Sequence, residues 1–169
     1  NGTERVLVLV EDLAANRMNL DKRTLGTTTE SVRIFSEKNW YRRRNSVERR
    51  KDGALITNMP PFSKPLDLIT LMRALGMDND ELIVNSISKD PQVTGELYVS
   101  FEEAAETVSK KDALDALGKK IAFGQGRPER ISRAERILDT FLLPHMGLEP
   151  KDRMAKAHFI AKMTERVIK

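Results

Sequence analysis

The apolar positions near the start of the chain follow the short periods that are typical of β-strands. Residues 6–10 form an unbroken apolar run, VLVLV, whose length and β-branched content predict a strand buried on both faces. Residues 11–19 are mostly polar and are expected to turn outward. Three further strands are predicted at residues 27–35, 40–47 and 54–59. The Asp52-Gly53 pair predicts a tight turn before the last of them, so the N-terminal third is expected to form a small antiparallel sheet.

After the predicted sheet, the apolar spacing changes to three or four residues, which is the period of an α-helix. Helices are predicted at residues 65–75, 78–87, 101–108, 110–121, 129–143 and 150–168. Asp78, Ser100 and Ser109 each precede an acidic residue by three positions, a spacing that predicts helix caps. Segments 89–95 and 123–128 are predicted as loops. We therefore predict an α+β fold, with a small antiparallel β-sheet in the N-terminal third followed by a block of about six helices.

Three of the predicted helices have informative faces. The helix at 65–75 is apolar over most of its circumference, which is typical of a buried helix. The last helix is expected to bury Met154, Ala157, Ile160, Ala161, Thr164 and Val167. The helix at 129–143 turns its charged residues, Arg130, Arg133, Glu135, Arg136 and Asp139, away from its apolar stripe. Aromatic residues make up only 5% of the chain, so aliphatic side chains must form most of the core.

The highest local charge lies in residues 33–51, which hold eight Lys or Arg against two Glu, whereas the whole chain has a net charge of only +4. A localised positive charge favours binding to a polyanion. The candidate nucleic-acid-binding residues are Arg42, Arg43, Arg44, Arg49, Arg50 and Lys51. They would neutralise phosphates and position a duplex without reading its bases. From charge alone, a solvated surface hairpin explains the segment equally well.

Trp40 and Tyr41 adjoin the arginine triplet and have the ring systems on which nucleic-acid bases stack. Because Trp40 is the only Trp of the chain, we expect instead that it packs the sheet against the helices.

The sequence offers few of the residues that catalysis or metal binding requires. Cysteine is absent, which excludes thiol nucleophiles and cysteine zinc sites, and no HExxH or P-loop motif occurs. His145 is expected to be a helix-end or packing residue, and Gly124-Gln125-Gly126 a connector between helices. A solvated acidic face explains Glu102, Glu103 and Glu106 better than a metal site. We therefore expect no catalytic residue, metal or cofactor in this chain.

The overall composition narrows the class of protein. The 169 residues fit one domain with a small appendage. The absence of cysteine favours an intracellular protein without disulfides. The charged fraction of 32% is typical of proteins from hot environments. No run of 18 apolar residues occurs, so no membrane span is expected. The first residue is Asn rather than Met, which leads us to expect a fragment.

The order of several motifs resembles one family. Residues 1–6, NGTERV, with Glu11 resemble a strand near the end of the protrusion domain in the second-largest subunit of multisubunit RNA polymerase. Residues 73–76, RALG, and 141–145, FLLPH, are similar to elements of the lobe domain of that subunit. The last helix fits the one that follows them through Arg153, Ala155, Phe159, Met163 and Arg166. The resemblance is to the archaeal or eukaryotic type, with residues 1–20 as the end of a protrusion-like segment and 21–169 as the lobe (domain 2).

The resemblance implies a non-catalytic part of DNA-directed RNA polymerase, a nucleotidyltransferase. Such a part would line the DNA cleft and give a docking surface for other polymerase subunits and transcription factors, including zinc-ribbon proteins. Magnesium would be held elsewhere in the polymerase. The location would be cytoplasmic if the chain is archaeal and nuclear if it is eukaryotic.

Two alternatives from other classes remain at this point. One is a free-standing basic domain that binds DNA or RNA without partners. The other is an enzyme with an unrecognised carboxylate site, which would require converging acidic side chains with raised pKa values.

Overall fold

The computed structural model describes residues 2–9, 11–22 and 26–169. Its sheet consists of five antiparallel strands in the order in which they occur along the chain. The strands are β1 (Met18–Lys22), β2 (Thr28–Lys38), β3 (Tyr41–Arg50), β4 (Leu55–Asn58) and β5 (Leu66–Asp67). The helices are α1 (Leu68–Ala74), α2 (Asp80–Ile87), α3 (Pro91–Gly95), α4 (Tyr98–Glu103), α5 (Lys110–Lys119), α6 (Arg127–Phe141) and α7 (Arg153–Ile168). The predicted α+β fold is confirmed.

One face of the sheet packs against the helices. Val32 and Ile34 of β2 are fully buried, and their partners across the ladder are Val47 and Asn45 of β3. Side chains alternate between the two faces of a strand, so these four residues point to the same side. Helix α7 packs on that side against β2 and β3.

The core continues from the sheet into the helical block. Every residue of α1 is buried, as its apolar circumference predicts, and α1 packs against β4, β5 and α5. Helix α5 packs in turn against α6. The main core cluster consists of aliphatic side chains from the sheet and these helices, with aromatic rings only at its edge.

The helix caps partly match the predicted positions. Ser109 caps α5 by accepting a hydrogen bond from the backbone N–H of Asp112, as predicted. Helix α2 begins later than predicted, because the side chain of Asn79, rather than that of Asp78, accepts a hydrogen bond from the backbone N–H of Glu81. The predicted cap at Ser100 is wrong: Ser100 is buried inside α4, where its hydroxyl accepts the N–H of Leu55 in β4.

The predicted strand at residues 6–10 is the largest error within the described chain. Residues 6–9 form no strand and have exposed fractions of 76–88%, while Val10 lies outside the described residues. Apolarity made the segment suitable for a buried strand, but no described strand pairs with it. The first strand is β1, part of which lies in the segment that was expected to turn outward.

Three smaller expectations are also wrong. Residues 91–95 form the short helix α3 within a predicted loop, because Asp90 caps it and Pro91 occupies its first turn. Leu66 and Asp67, expected in the helix, pair with β4 as the strand β5. Met154 is 39% exposed, whereas Arg153 and Lys156 of the same helix are buried because α6 supplies oxygen atoms as their partners.

Candidate nucleic-acid interface

The basic segment forms the hairpin of β2 and β3. Lys38 pairs with Tyr41, so the turn consists of Asn39 and Trp40, which have φ angles of 52° and 66°. Positive φ at both central residues matches the twist of a hairpin, but it is an unusual conformation for a bulky residue. Trp40 is 95% exposed at the tip of the hairpin, so the expectation that it packs the sheet against the helices is wrong.

The strand geometry divides the candidate residues between two places. Arg42 and Arg50 lie eight positions apart, which corresponds to about 26 Å along an antiparallel strand. Arg42 and Arg44 share one face of the sheet, whereas Arg43 and Arg49 lie on the face that packs against the helices. The six candidate cations therefore do not form one continuous patch.

At the hairpin tip, two of the three arginines contact neighbouring side chains. Arg42 pairs with Asp12 at 2.6 Å, donates to the Leu13 carbonyl at 2.7 Å and lies 4.5 Å from the ring centre of Phe35. Arg43 lies 4.8 Å from the ring centre of Phe141 in α6. Arg44 is exposed and forms no ion pair with any residue that the structure describes.

At the other end of β3, acidic residues neutralise most of the positive charge. Arg49 forms an ion pair with Glu96, and Arg50 pairs with Asp52 and, at 3.1 Å, with Glu103. The acidic face of α4 is thus partly used in an ion pair rather than fully solvated. Lys51 is exposed and has no such partner within the described chain.

Two exposed cations of α6 were missed as site candidates. Arg133 and Arg136 are exposed and form no ion pair in the part of the chain that the structure describes, whereas Arg127 and Arg130 pair with Asp112 and Asp115. The sequence contained the signal, because the helical period already placed Arg133 and Arg136 on the polar side of α6. Ion pairs with carboxylates of α5 determine which arginines of α6 remain available to bind an anion.

His145 and Lys156 lie beneath the hairpin, behind the sheet. The Nδ1 atom of His145 lies 2.7 Å from the Ser36 hydroxyl oxygen, and the ring meets Phe159 edge to face at 5.2 Å. Burial, assisted by the nearby positive charge of Lys156, lowers the pKa of His145. Lys156 is fully buried and donates to the carbonyls of Leu138 and Asp139 at the end of α6, and its burial lowers its pKa to about 8. These contacts make His145 a packing residue.

Neither a metal-binding cluster nor a membrane-spanning helix is found within the described ranges. No group of three or more His, Cys, Asp or Glu residues there could hold a metal ion. Likewise, no helix of residues 2–9, 11–22 and 26–169 has the length and apolar character needed to cross a membrane.

Comparison with known sequences identifies the family. The family described as RNA polymerase Rpb2, domain 2, matches residues 13–169. The chain belongs to this family. The predicted resemblance to domain 2 of the second-largest polymerase subunit is therefore confirmed.

Several archaeal polymerase subunits are similar over nearly the whole chain. The DNA-directed RNA polymerase subunit Rpo2 of Saccharolobus solfataricus is 40% identical over 169 residues, covering 99% of this chain and 15% of that subunit. The Rpo2N subunit of Halobacterium salinarum is 35% identical over 170 residues, with coverage of 98% and 32%. Rpo2N of Methanocaldococcus jannaschii is 35% identical over 172 residues, with coverage of 99% and 34%. The chain thus spans about a third or less of these relatives.

Proposed function

We propose that this chain is a non-catalytic lobe segment of the second-largest RNA polymerase subunit, lining the DNA cleft and giving a docking surface to other subunits and transcription factors. The observation that carries the proposal is the family match over residues 13–169. In this proposal the magnesium ion and the reacting groups of RNA synthesis are held elsewhere in the polymerase. An archaeal enzyme of this kind would be cytoplasmic.

The domain arrangement is part of the same proposal. Residues 1–20 would be the end of a protrusion-like segment and residues 21–169 the lobe. The exposure of residues 6–9 supports this division, because an apolar run of this kind is suited to contact with another part of a longer polypeptide. The match to domain 2 begins only at residue 13.

A DNA-facing role would depend on Arg44, Lys51 and the tip residue Trp40 rather than on all six candidate cations. Arg42, Arg49 and Arg50 already have carboxylate partners, so each would have to lose an ion pair to bind a phosphate. This also weakens the case for a free-standing nucleic-acid-binding domain, since such a protein needs many available cations.

A reconstituted polymerase tests the cleft-lining role. A photo-crosslinking amino acid at position 44 should label DNA in a stalled elongation complex, whereas the same group at Lys162, on exposed α7 surface, should label it far less. Equal labelling from both positions, or labelling from position 162 alone, would contradict the proposal for this face.

The isolated chain provides a second test. Two phosphate contacts predict that duplex affinity falls about tenfold between about 50 and about 200 mM salt. Replacing Arg44 and Lys51 with Ala should remove most of this dependence, whereas replacing Lys162 and Arg166 should not. Trp40, as the only Trp, reports contact at the hairpin tip through its fluorescence. Tight, salt-resistant binding by the isolated chain would favour the free-standing alternative.

A further inference from the structure

A groove runs along one side of α6, and we refer to it as the α6 groove. It has a volume of about 730 Å³ and is lined by Pro61, Gln125, Pro128, Glu129, Ser132, Arg133, Arg136, Ile137 and Phe141. The helical residues extend from position 128 to position 141, so the groove follows about 20 Å of the helix. Nothing in the proposed contact with DNA uses it.

The lining of the α6 groove combines apolar and charged side chains. Pro61, Pro128, Ile137 and Phe141 supply the apolar part of the lining, and Ile137 is the buried one among them. Arg133 and Arg136 add exposed basic side chains to the lining. Its single carboxylate is Glu129, at the N-terminal end of α6. Within the described residues neither arginine has an ion-pair partner, so both are available to an external anion.

Positive charge increases towards the C-terminal end of the groove. There the guanidinium of Arg43 lies 4.8 Å from the ring centre of Phe141. An adjoining depression shares Pro61 with the groove and is lined by both Arg44 and Glu48, so it adds no net positive charge. A ligand that lies along α6 would therefore meet one acidic residue first and basic residues afterwards.

The dimensions favour a peptide over a nucleic-acid duplex. The volume divided by the length gives a cross-section of about 40 Å², which accommodates one extended chain with small or medium side chains. An extended segment of about six residues covers 20 Å. A B-DNA duplex is wider than this cross-section, because each of its own grooves is already about 6 to 12 Å wide. A duplex would therefore leave the apolar part of the lining uncovered.

We infer that the α6 groove is a docking site for an extended acidic segment of another protein, with an apolar side chain that packs between Pro61 and Phe141. The acidic residues of the segment pair with Arg133 and Arg136. This inference rests on the proposed docking function and specifies its location and the chemistry of the partner.

Binding of labelled peptides to the 169-residue chain tests the inference. The probe is the octapeptide Asp-Asp-Glu-Leu-Phe-Glu-Asp-Asp with a fluorescein label, measured by anisotropy. Two comparison peptides replace the acids with Asn and Gln, or the Leu-Phe pair with Gly-Ser. The acidic-apolar peptide should bind most tightly, and each comparison peptide should bind at least about fivefold more weakly, because one lacks the charges and the other the apolar anchor.

Variants of the groove give the decisive comparison. The R133E/R136E double variant should weaken binding at least about fivefold, and Ser132→Trp, which fills the groove without changing its charge, should do the same. The control K162E/R166E makes the same charge change on exposed residues of α7 and should bind as the parent does. Thermal melts of all variants should coincide, since every substituted residue is exposed.

Several outcomes would overturn the inference. These are no binding of the acidic-apolar peptide, equal binding of the neutral peptide, or binding unaffected by R133E/R136E. Duplex DNA that binds more tightly than the peptide and depends on Arg133 and Arg136 would show a nucleic-acid surface instead. A chain that crosslinks to DNA from position 44 in the polymerase but fails the peptide test would overturn the groove alone, leaving the proposed function intact.

Discussion

At the scale of single residues, Arg73 shows how the fold accommodates a charge inside its core. It lies on the buried helix α1 and is only 4% exposed. Its guanidinium donates to the carbonyls of Ala104 and Thr107 at 2.8 and 2.9 Å, and to the Asp80 carboxylate at 2.6 Å. Arg73 thus connects α1 to the segment after α4 and to the first turn of α2.

Replacing Arg73 with Met should reduce the free energy of unfolding by about 3 kcal/mol, because the carbonyls of Ala104 and Thr107 lose a charged donor. Met retains most of the buried stem, so the experiment measures mainly the polar contacts. Urea unfolding provides the measurement. The control Arg133→Met, on an exposed residue, should change the value by less than about 0.5 kcal/mol. Equal effects of the two substitutions would contradict this role for Arg73.

His145 should make stability depend on pH in the range where histidine titrates. Burial lowers its pKa below the ordinary value of 6.5, so the unfolded chain binds the proton more readily than the folded chain does. The contribution of His145 to stability is therefore fully present above pH 6.5 and is lost as the pH decreases from there towards the lowered pKa. The difference in melting temperature between neutral and mildly acidic buffer measures this loss.

Two histidine variants separate this effect from other titrations. His145→Asn can keep a hydrogen bond with the Ser36 hydroxyl but cannot take up the proton, so its melting temperature should change less with pH. His158→Asn, at an exposed position of α7, should retain the dependence of the parent. If His145→Asn showed the full pH dependence, His145 would not be its source.

At the scale of elements, the contact between α5 and α6 depends on Gly118. A Cβ atom on Gly118 would lie 2.6 Å from the backbone oxygen of Arg130 and 2.7 Å from its Cβ atom. The two helices therefore approach more closely than any other residue would permit. The Arg130 side chain, which donates to Asp115 at 2.7 Å, holds the same pair of helices together.

Gly118→Ala should lower the free energy of unfolding by about 1 to 3 kcal/mol, because backbone atoms rather than a flexible side chain must move. Gly95→Ala at the end of α3 is the matched control. A Cβ atom there meets nothing within 4 Å, so Ala should be neutral or stabilise by less than about 1 kcal/mol. Thermal unfolding of both variants checks the prediction, and a neutral Gly118→Ala would show that the helices can separate freely.

The elements also show which features a sequence can predict. Periodicity located β2, β3, β4 and most helices, because burial of one face imposes a period on each segment by itself. It could not show that α5 meets α6 at Gly118, nor that Glu96 and Glu103 neutralise Arg49 and Arg50, because these contacts join segments far apart in sequence. The sequence therefore predicted which basic residues form the candidate interface, but not which of them remain without an ion-pair partner.

At the scale of the whole molecule, the described structure combines a well-packed core with an apolar segment outside it. Val6, Leu7, Val8 and Leu9 are 76–88% exposed and lie in no helix or strand. A short β-prone apolar segment of this kind favours association between chains when it is exposed. In the longer relatives, much more polypeptide accompanies the matching region.

The exposed run should make the 169-residue chain self-associate without contributing to its stability. Deleting residues 1–11 should therefore reduce self-association in sedimentation velocity experiments, because the apolar segment is removed. It should leave the melting temperature within about 2 °C of that of the full chain, because residues 2–9 and 11 are exposed and lie outside the core.

The V6K/V8K double variant keeps the length of the segment but not its apolarity, and it should reduce association to a similar extent. If the variant still associates while the deletion does not, another feature of the segment causes association. A large fall in melting temperature on deletion would instead show that the segment packs against the fold.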